Sequence, residues 1–282
     1  MKTLRNIFLA GLVVVLYSSS LFAQGGIITA AEFMKLYKTD KTLVIIDASK
    51  ASDYKKSHIK KAVNIPNKSL NQDGDKGFLK TNAELATIFG NHGVSPNKTI
   101  VVYDGGAQKS ASRVYWVLKY LGAKNVKILH KNMATFKKSR VPLTPMATKV
   151  KKATFTASVD DAIAANLTEV KSGKYKLVDA RDANEFAGTT DKSNGHIPGA
   201  INISYKDVVD AKTHVFKPKA QIESLVSKKG INPSDAVIVS CQSGKRAAVL
   251  YVVFADILGY DNVKMYDGSY NEWVAKGNKV DK

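Results

Sequence analysis

The chain has 282 residues, which is long for a single hydrophobic core and sufficient for two domains of ordinary size. Apolar residues make up 44% of the chain and aromatic residues 9%, which excludes an intrinsically disordered protein. The formal net charge is +19, but the sequence contains no helix-turn-helix, no zinc-finger spacing and no platform of basic and aromatic residues. We therefore expect a basic, solvated surface and no nucleic-acid partner.

The first 23 residues have the pattern of a secretory signal peptide. Lys2 and Arg5 precede an apolar run over residues 7–17, and smaller residues lead to a predicted cleavage site after Ala23. The apolar run is too short to span a bilayer, and no cysteine follows it that could carry a lipid, so no stable membrane anchor is expected. The mature protein is predicted to be exported and to be either periplasmic or secreted.

The remainder of the chain contains the same unit twice. The segment that ends at Asp104 recurs 137 residues later as the segment that ends at Cys241, and Phe136 recurs as Trp273 at the same offset. This duplication predicts two domains with one fold. We assign residues 24–140 to an N-terminal domain, residues 141–158 to a linker rich in Lys, Thr and Pro, and residues 159–282 to a C-terminal domain.

Short apolar strands alternate with amphipathic helices along the first copy, and the second copy repeats the alternation. This pattern is typical of an α/β fold in which a parallel sheet is flanked by helices. Functional sites in such sheets form beyond the carboxyl ends of the strands, where Asp104 and Cys241 are predicted to lie. The predicted strands of the first copy are residues 43–47, 62–65, 99–103 and 126–129, and the predicted helices are residues 51–56, 82–91 and 110–120.

Cys241 lies in a short loop between a predicted strand and a helix predicted over residues 245–258. It is the one cysteine of the chain, so no intramolecular disulfide can form and the thiol is left for chemistry. Backbone amides at a helix start favour an anion, and Lys245 and Arg246 add two positive charges. These are the conditions that make a cysteine nucleophilic, and the polar residues after Cys241 argue against a purely structural core cysteine.

Four segments of the chain resemble the tandem-domain rhodanese family of sulfurtransferases, and the resemblance extends over essentially the whole mature length. All four are in the expected order in the second copy, and the first copy carries a degenerate version. The segments are Leu-Val-Asp-Ala-Arg at 177–181, Gly-His-Ile-Pro-Gly-Ala-Ile-Asn at 195–202, Cys-Gln-Ser-Gly-Lys-Arg at 241–246 and Tyr-Asp-Gly-Ser-Tyr-Asn-Glu-Trp at 266–273.

The resemblance implies two rhodanese-like domains of which the C-terminal one is catalytic, because Asp104 occupies the cysteine position of the first copy. It implies ping-pong transfer, in which Cys241 takes sulfur from an anionic donor such as thiosulfate or 3-mercaptopyruvate and becomes a persulfide. The outer sulfur then passes to cyanide or to a thiol acceptor, and no metal or organic cofactor is implied. The implied substrate-binding residues are Gln242, Ser243, Gly244, Lys245 and Arg246, with the last two holding the donor's sulfonate.

The identity of the donor is the least defined part of the resemblance. Members that prefer 3-mercaptopyruvate resemble Cys-Gly-Ser-Gly-Val-Thr, whereas members that prefer thiosulfate usually carry basic residues. Lys245 and Arg246 therefore favour thiosulfate, although Gln242 and Ser243 match neither pattern. Glu185 is a further departure, because some tandem members have a substrate-facing arginine at this place.

Three other residues are candidates for supporting roles. Asp179 and Arg181, at the end of the first long strand of the C-terminal domain, are predicted either to orient the Cys241 loop or to form a purely structural pair. His196 recurs as His58 in the copy that has no cysteine, which favours a structural histidine. None of the histidines has metal-ligand spacing, so no metal site is predicted.

Two other functions are compatible with this sequence. The protein can be a persulfide carrier or binding module that a partner loads and that has little turnover on small molecules. It can also be a phosphatase or an arsenate reductase with the same fold. The related dual-specificity phosphatases have a cysteine loop one residue longer, however, and the shorter ring favours sulfur over phosphate.

Overall fold

The structure is a computed structural model, which describes residues 26–72, 77–191 and 193–282. The signal peptide predicted over residues 1–23 lies outside the described residues. Within the described ranges, none of the helices combines the length and the apolar character needed to cross a membrane.

The first unit alternates strands and helices as predicted, and the seven elements with predicted bounds differ from them by one residue at most at either end. Its strands are β1 (Ile27–Ile28), β2 (Val44–Asp47), β3 (His58–Ile59), β4 (Val63–Asn64), β5 (Thr99–Tyr103), β6 (Asn125–Leu129) and β7 (Leu143–Thr144). Its helices are α1 (Ala30–Thr39), α2 (Ala51–Lys56), α3 (Asn82–Asn91), α4 (Lys109–Tyr120) and α5 (Met133–Lys138). The order β1-β6-β5-β2-β4 forms one fully parallel sheet, and β3 and β7 form an antiparallel pair.

The second unit has the same arrangement. Its strands are β8 (Ala164–Ala165), β9 (Lys176–Asp179), β10 (Ile201–Asn202), β11 (Val237–Ser240) and β12 (Val263–Tyr266). Its helices are α6 (Leu167–Lys171), α7 (Ala183–Phe186), α8 (Lys219–Lys228), α9 (Ala247–Val252) and α10 (Ser269–Ala275). The parallel order β8-β12-β11-β9-β10 repeats that of the first sheet strand for strand, which confirms the predicted α/β fold with two parallel sheets flanked by helices.

The central strand of each sheet is apolar because elements packed on both faces of a parallel sheet exclude water. In β5 the side chains of residues 100–103 are inaccessible, and in β11 the same holds for residues 237–239. The loops that carry Asp104 and Cys241 follow these two strands, so each loop begins at the centre of its sheet's carboxyl edge.

The helix after the Cys241 loop begins two residues later than predicted. Its α-helical part, α9, begins at Ala247, and residues 253–258 continue it in π-helical form. It ends at Leu258, as predicted, and Gly259 is its C-cap. Gly259 adopts a left-handed conformation with φ of +77°, which costs little for a residue without a Cβ atom.

The two units share one hydrophobic core. Helices α4 and α9 pack against each other, and one continuous cluster of buried apolar side chains extends through both units, while each unit also has a smaller cluster of its own. Because α4 follows the Asp104 loop and α9 follows the Cys241 loop, this packing brings both loops to the domain interface.

Each unit covers the loop of the other with an equivalent segment. Gly77 of the first unit lies against Ser243, so closely that a Cβ atom on Gly77 would overlap the serine side chain. His214 of the second unit lies against Gly106 in the reciprocal position. Gly77 and His214 are separated by the repeat offset, and so are Gly106 and Ser243. The interface is therefore pseudo-symmetric.

A second reciprocal pair of contacts lies beside the first. The amide of Leu79 donates to Asp267 Oδ2 at 3.4 Å, and the rings of Phe216 and His130, the residues at the equivalent positions, have centroids 5.2 Å apart. Burial lowers the pKa of His130 to about 4, so this imidazole is neutral at physiological pH. A polar contact in one half of the interface thus corresponds to an apolar contact in the other.

The segment predicted as the linker lies along the first unit. Strand β7 pairs with β3, and the Ala153 amide donates to the carbonyl of Gly90 at 2.9 Å. The ring of Phe155 is buried with its centroid 5.4 Å from that of Phe89. Residues 141–158 are therefore held by the N-terminal unit along their length.

Candidate active site

The loop of the first unit shows what this loop geometry binds. The Asp104 carboxylate accepts hydrogen bonds from four backbone amides, those of Gly106 (2.7 Å), Gln108 (3.3 Å), Ser110 (2.9 Å) and Ala111 (3.1 Å). Asp104 is buried, so these amides surround a carboxylate that is nearly removed from water. The loop is a nest for one anionic group.

Cys241 occupies the position of Asp104 in the second unit. It is a free cysteine, its residue is 1% exposed, and it directly follows β11. By the repeat offset, the amides equivalent to those around Asp104 belong to Ser243, Lys245, Ala247 and Ala248. Cys241 therefore lies below the protein surface, at the position where the first unit holds the Asp104 carboxylate.

Ser269, the first residue of α10, holds the Cys241 loop in place. Its hydroxyl accepts hydrogen bonds from the amides of Cys241 (3.2 Å) and Gly244 (3.1 Å) and donates to the Tyr266 carbonyl (2.8 Å). Ser269 is fully buried and has a φ of +52°, which is unusual for a residue other than glycine. Sequence reasoning did not single out this serine. The available signal was its place in the 266–273 segment, which carried part of the resemblance.

The residues after Ser269 extend this connection. The Tyr270 amide donates to the Cys241 carbonyl at 3.0 Å, and the Asn271 amide donates to the Gln242 carbonyl at 3.1 Å. The side chain of Gln242 also donates to Asn271 Oδ1 at 2.6 Å. The start of α10 thus fixes the first two residues of the loop, and Gln242 is engaged in this contact.

Asp179 and Arg181 form a buried pair next to this connection. Arg181 donates to the Asp179 carboxylate through Nη2 (2.7 Å) and Nε (2.9 Å), to Ser193 Oγ (2.8 Å) and to the Gly195 carbonyl (2.9 Å). Its guanidinium group lies 4.1 Å from the ring centroid of Tyr270. The pair therefore contacts the loop through Tyr270, whose amide donates to the Cys241 carbonyl.

Arg246 forms a bidentate ion pair with Glu185. One guanidinium nitrogen donates to Glu185 Oε1 at 2.9 Å, the other contacts Oε2, and both side chains are 17% exposed. The hydrogen bonds from Arg246 lower the pKa of Glu185. Burial opposes the charge of Arg246, but its bonds to Glu185 and the proximity of Cys241 raise the pKa of Arg246 on balance. The arginine therefore lies within the electrostatic reach of the thiol and is already paired.

Further charged residues lie beside Arg246. Burial raises the pKa of Asp182, but hydrogen bonds from Lys206 (2.7 Å) and Ser204 (3.0 Å) and the attraction of Arg246 lower it on balance. Tyr205 precedes Lys206 in the chain. Its hydroxyl accepts a hydrogen bond from Lys109 of the first unit at 3.3 Å. None of these residues was a sequence candidate, because their proximity to the loop depends on tertiary packing.

Lys245 lies elsewhere. It lines a cavity at the domain interface together with Ser243 and residues of the first unit, and Arg246 is not among the lining residues. The two predicted donor-binding cations thus lie in different surroundings. Arg246 is paired with Glu185, and Lys245 lies at the domain interface. Gly244, with a φ of +78°, packs closely against Arg113 and Asp267.

The two repeated histidines make equivalent contacts. His58 stacks on Tyr54 at 3.6 Å and contacts the Tyr54 carbonyl through Nδ1 at 2.7 Å. His196 stacks on Phe186 at 3.7 Å and contacts the Phe186 carbonyl at 2.9 Å. The equivalence fits the predicted structural role. In the part of the chain that the structure describes, no cluster of three or more His, Cys, Asp or Glu side chains is arranged to hold a metal ion.

A duplicated α/β fold, with a cysteine in one amide-rich loop and a carboxylate in the equivalent loop, defines a two-domain protein with one site for sulfur chemistry at most. The chain belongs to the family of rhodanese-like domains, whose family model matches residues 29–139 and 164–276. This match confirms the resemblance found in the sequence.

Relatives that cover most of the chain carry sulfurtransferase names. A putative thiosulfate sulfurtransferase of Synechococcus elongatus is 31% identical over 260 residues, which cover 86% of this chain and 81% of that protein. A 3-mercaptopyruvate sulfurtransferase of Escherichia coli is 28% identical over 267 residues, which cover 87% of this chain and 94% of that protein. The crystal structure of SseA, a 3-mercaptopyruvate sulfotransferase from Escherichia coli, superimposes with a TM-score of 0.77 at 27% identity, covering 87% of this chain and 99% of that chain.

Proposed function

We propose that the protein is a sulfurtransferase in which Cys241 carries the transferred sulfur as a persulfide. The observation that supports this most is the Asp104 loop, in which four amides bind an anionic side chain at the position equivalent to Cys241. A persulfide anion on Cys241 would place its charge in the equivalent loop of the second unit.

The proposed reaction has two steps. The Cys241 thiolate attacks the outer sulfur of thiosulfate, a sulfur–sulfur bond forms to the cysteine, and sulfite leaves with the electron pair of the broken bond. Cyanide or a thiolate acceptor then attacks the outer sulfur of the persulfide and releases the Cys241 thiolate. Thiosulfate is the preferred donor in this proposal because it is a small dianion and the Cys241 loop carries two cations. Arg246 lies within electrostatic reach of Cys241, although it is paired with Glu185, and Lys245 lies on the side of the loop that faces the first unit.

Steady-state kinetics with thiosulfate and with 3-mercaptopyruvate, using cyanide as the acceptor, test the proposal. We expect thiocyanate formation with thiosulfate as the better donor, and loss of all activity in Cys241→Ser. Activity that survives the substitution would refute the persulfide mechanism. A higher kcat/KM for 3-mercaptopyruvate would refute the donor assignment while leaving the mechanism in place.

A second candidate is a persulfide carrier. The nearly complete burial of Cys241 and the commitment of Arg246 to Glu185 favour it, since both limit access of small donors. If the protein is a carrier, we expect a mass increase of about 32 Da on Cys241 in the isolated protein, which corresponds to one sulfur atom, and negligible turnover with small donors. Rapid turnover with thiosulfate excludes it. Hydrolysis of an aryl phosphate that disappears in Cys241→Ser would instead indicate a phosphatase.

We also propose that the protein acts outside the cytoplasm. The support is the signal-peptide pattern of residues 1–23. Fractionation of cells that express the full chain, followed by N-terminal sequencing, tests it. A mature N-terminus close to residue 24 in the periplasm or medium is expected, and a full-length cytoplasmic protein would contradict the proposal.

A further inference from the structure

The turns that follow β4 and β10 occupy equivalent places in the two units. The side chain of Asn64 in β4 donates to the last carbonyl of β2 at 2.9 Å, and that of Asn202 in β10 donates to the last carbonyl of β9 at 3.1 Å. Three residues further on, Asn67 and Tyr205 each begin a short 3-10 turn. Tyr205 is therefore the structural counterpart of Asn67.

Asn67 lies beside the anion-binding loop of the first unit. Its side-chain oxygen accepts a hydrogen bond from the Ser110 hydroxyl at 3.1 Å, and the Ser110 amide donates to the Asp104 carboxylate at 2.9 Å. The turn that begins at Asn67 packs against α4, and the turn that begins at Tyr205 packs against α9 in the same way. By this equivalence, Tyr205 lies beside the anion-binding loop of Cys241.

Two cations of the second unit lie in the same region, and both are paired with a carboxylate. Arg246 pairs with Glu185, and Lys206 donates to Asp182 at 2.7 Å. Each of these pairs is neutral as a whole. Lys245 lies on the side of the loop that faces the cavity of the first unit. The two pairs beside Tyr205 thus add no net positive charge to this side of the loop.

Lys109 of the first unit brings a further cation to Tyr205. It is the first residue of α4 and is half-buried, and its Nζ atom lies 3.3 Å from the Tyr205 hydroxyl oxygen and 4.9 Å from the centre of the ring. Its partner is a hydroxyl group, and no ion pair of the described residues includes Lys109. The charge of Lys109 is therefore not compensated by a carboxylate.

We propose that Lys109 is a specificity-determining residue that attracts the anionic end of the sulfur donor toward Cys241. This inference rests on the proposed function. Tyr205 holds the ammonium group beside the loop, where it supplies the positive charge that the two neutral pairs do not. One unit charge attracts a dianion about twice as strongly as a monoanion at the same distance, so Lys109 favours thiosulfate over 3-mercaptopyruvate. The unit without a cysteine thus contributes to donor selection.

Alkylation of Cys241 tests the charge at the site without relying on sulfur transfer. Cys241 is the one cysteine of the chain, so its rates with anionic iodoacetate and neutral iodoacetamide are measured without competing thiols. The test variant is Lys109→Gln, and Lys124→Gln is the control, because it removes the same charge from an exposed lysine of the same unit. We expect the ratio of the iodoacetate rate to the iodoacetamide rate to fall about three- to fivefold in Lys109→Gln. The ratio should stay at the wild-type value in the control and in Lys109→Arg.

Steady-state kinetics provide the second readout. In Lys109→Gln the KM for thiosulfate should rise about three- to fivefold with little change in kcat, the KM for 3-mercaptopyruvate should rise less, and Lys109→Arg should restore both. Equal alkylation ratios in Lys109→Gln and Lys124→Gln would overturn the proposal, and so would a Cys241 that neither reagent modifies. A wild-type protein that forms no thiocyanate but shows the expected alkylation ratios would reject the proposed function alone.

Discussion

Replacing Ser269 with alanine removes the hydroxyl group that holds the Cys241 loop in place. In the folded protein this oxygen accepts the amides of Cys241 and Gly244 and donates to the carbonyl of Tyr266. Ser269 has no exposed surface, so water cannot replace the hydrogen bonds that the substitution removes. Ser269→Ala therefore leaves two loop amides without their acceptor.

The cost follows from the number of groups left unpaired. Each buried donor without a partner costs about 1–3 kcal/mol, so we expect the free energy of unfolding to fall by about 2–4 kcal/mol after partial relaxation of the loop. For a chain of this size that corresponds to a decrease in Tm of roughly 4–10 °C. Because the same amides orient the loop around Cys241, kcat/KM for sulfur transfer should fall by about 100-fold, as for the loss of one preorganised donor in other active sites.

Two variants separate the role of the hydroxyl from that of the backbone. Ser269 has a φ of +52°, so Ser269→Gly also removes the hydroxyl but relieves about 1 kcal/mol of backbone strain. It should be more stable than Ser269→Ala and equally impaired in activity. Ser112→Ala is the control, because its buried hydroxyl in α4 has no hydrogen-bond partner and its removal should be nearly neutral. Differential scanning calorimetry and thiocyanate formation provide the readouts. Wild-type kcat/KM in Ser269→Ala would refute the reasoning.

Three further predictions concern the charges around the two loops. Glu185→Gln releases Arg246 from its ion pair, so the KM for thiosulfate should fall by about threefold to tenfold, which corresponds to roughly 1 kcal/mol of binding free energy. An unchanged or higher KM would show that Arg246 does not bind the donor. Pairing lowers the pKa of folded Glu185, so its stabilising contribution is present above the unfolded pKa of about 4.3 and is lost as the pH falls through the folded pKa. The stability difference between wild type and Glu185→Gln in urea should therefore shrink from about pH 5 to about pH 3, and a difference that grows over this range would contradict the sign. Asp104→Asn places an amide group against backbone donors, so the free energy of unfolding in urea should fall by about 2–4 kcal/mol, whereas an unchanged value would argue against the four-amide nest.

Local patterns in the sequence were sufficient for the architecture. Four strands and three helices of the first unit were predicted within one residue, because their periodicity is set by which side chains face the core. The sequence analysis gave no bounds for β1, α1, β3, α5 and β7. The repeat offset extended that prediction to the second unit and placed Asp104 and Cys241 in equivalent loops. It did not show that α9 continues as a π-helix, since that depends on how the helix packs.

Such patterns did not identify the hydrogen-bond and ion-pair partners of the polar side chains. The sequence predicted that Lys245 and Arg246 would act together, but the structure pairs Arg246 with Glu185, 61 residues away, and turns Lys245 to a cavity shared with the first unit. Ser269 was part of a recognised segment without an assigned role. Which oxygen meets which amide depends on the distances that the packed sheets and loops impose.

The duplicated fold and the position of the cysteine were thus determined by the order and spacing of residues along the chain, because hydrophobic burial acts on short, periodic segments. The family was recognised from four segments of the second copy that resemble it. The reciprocal contacts of the two units, the hydroxyl that fixes the Cys241 loop and the separate surroundings of Lys245 and Arg246 were decided by tertiary structure alone. Their members are remote in sequence and become neighbours only when α4 and α9 bury their apolar faces against each other.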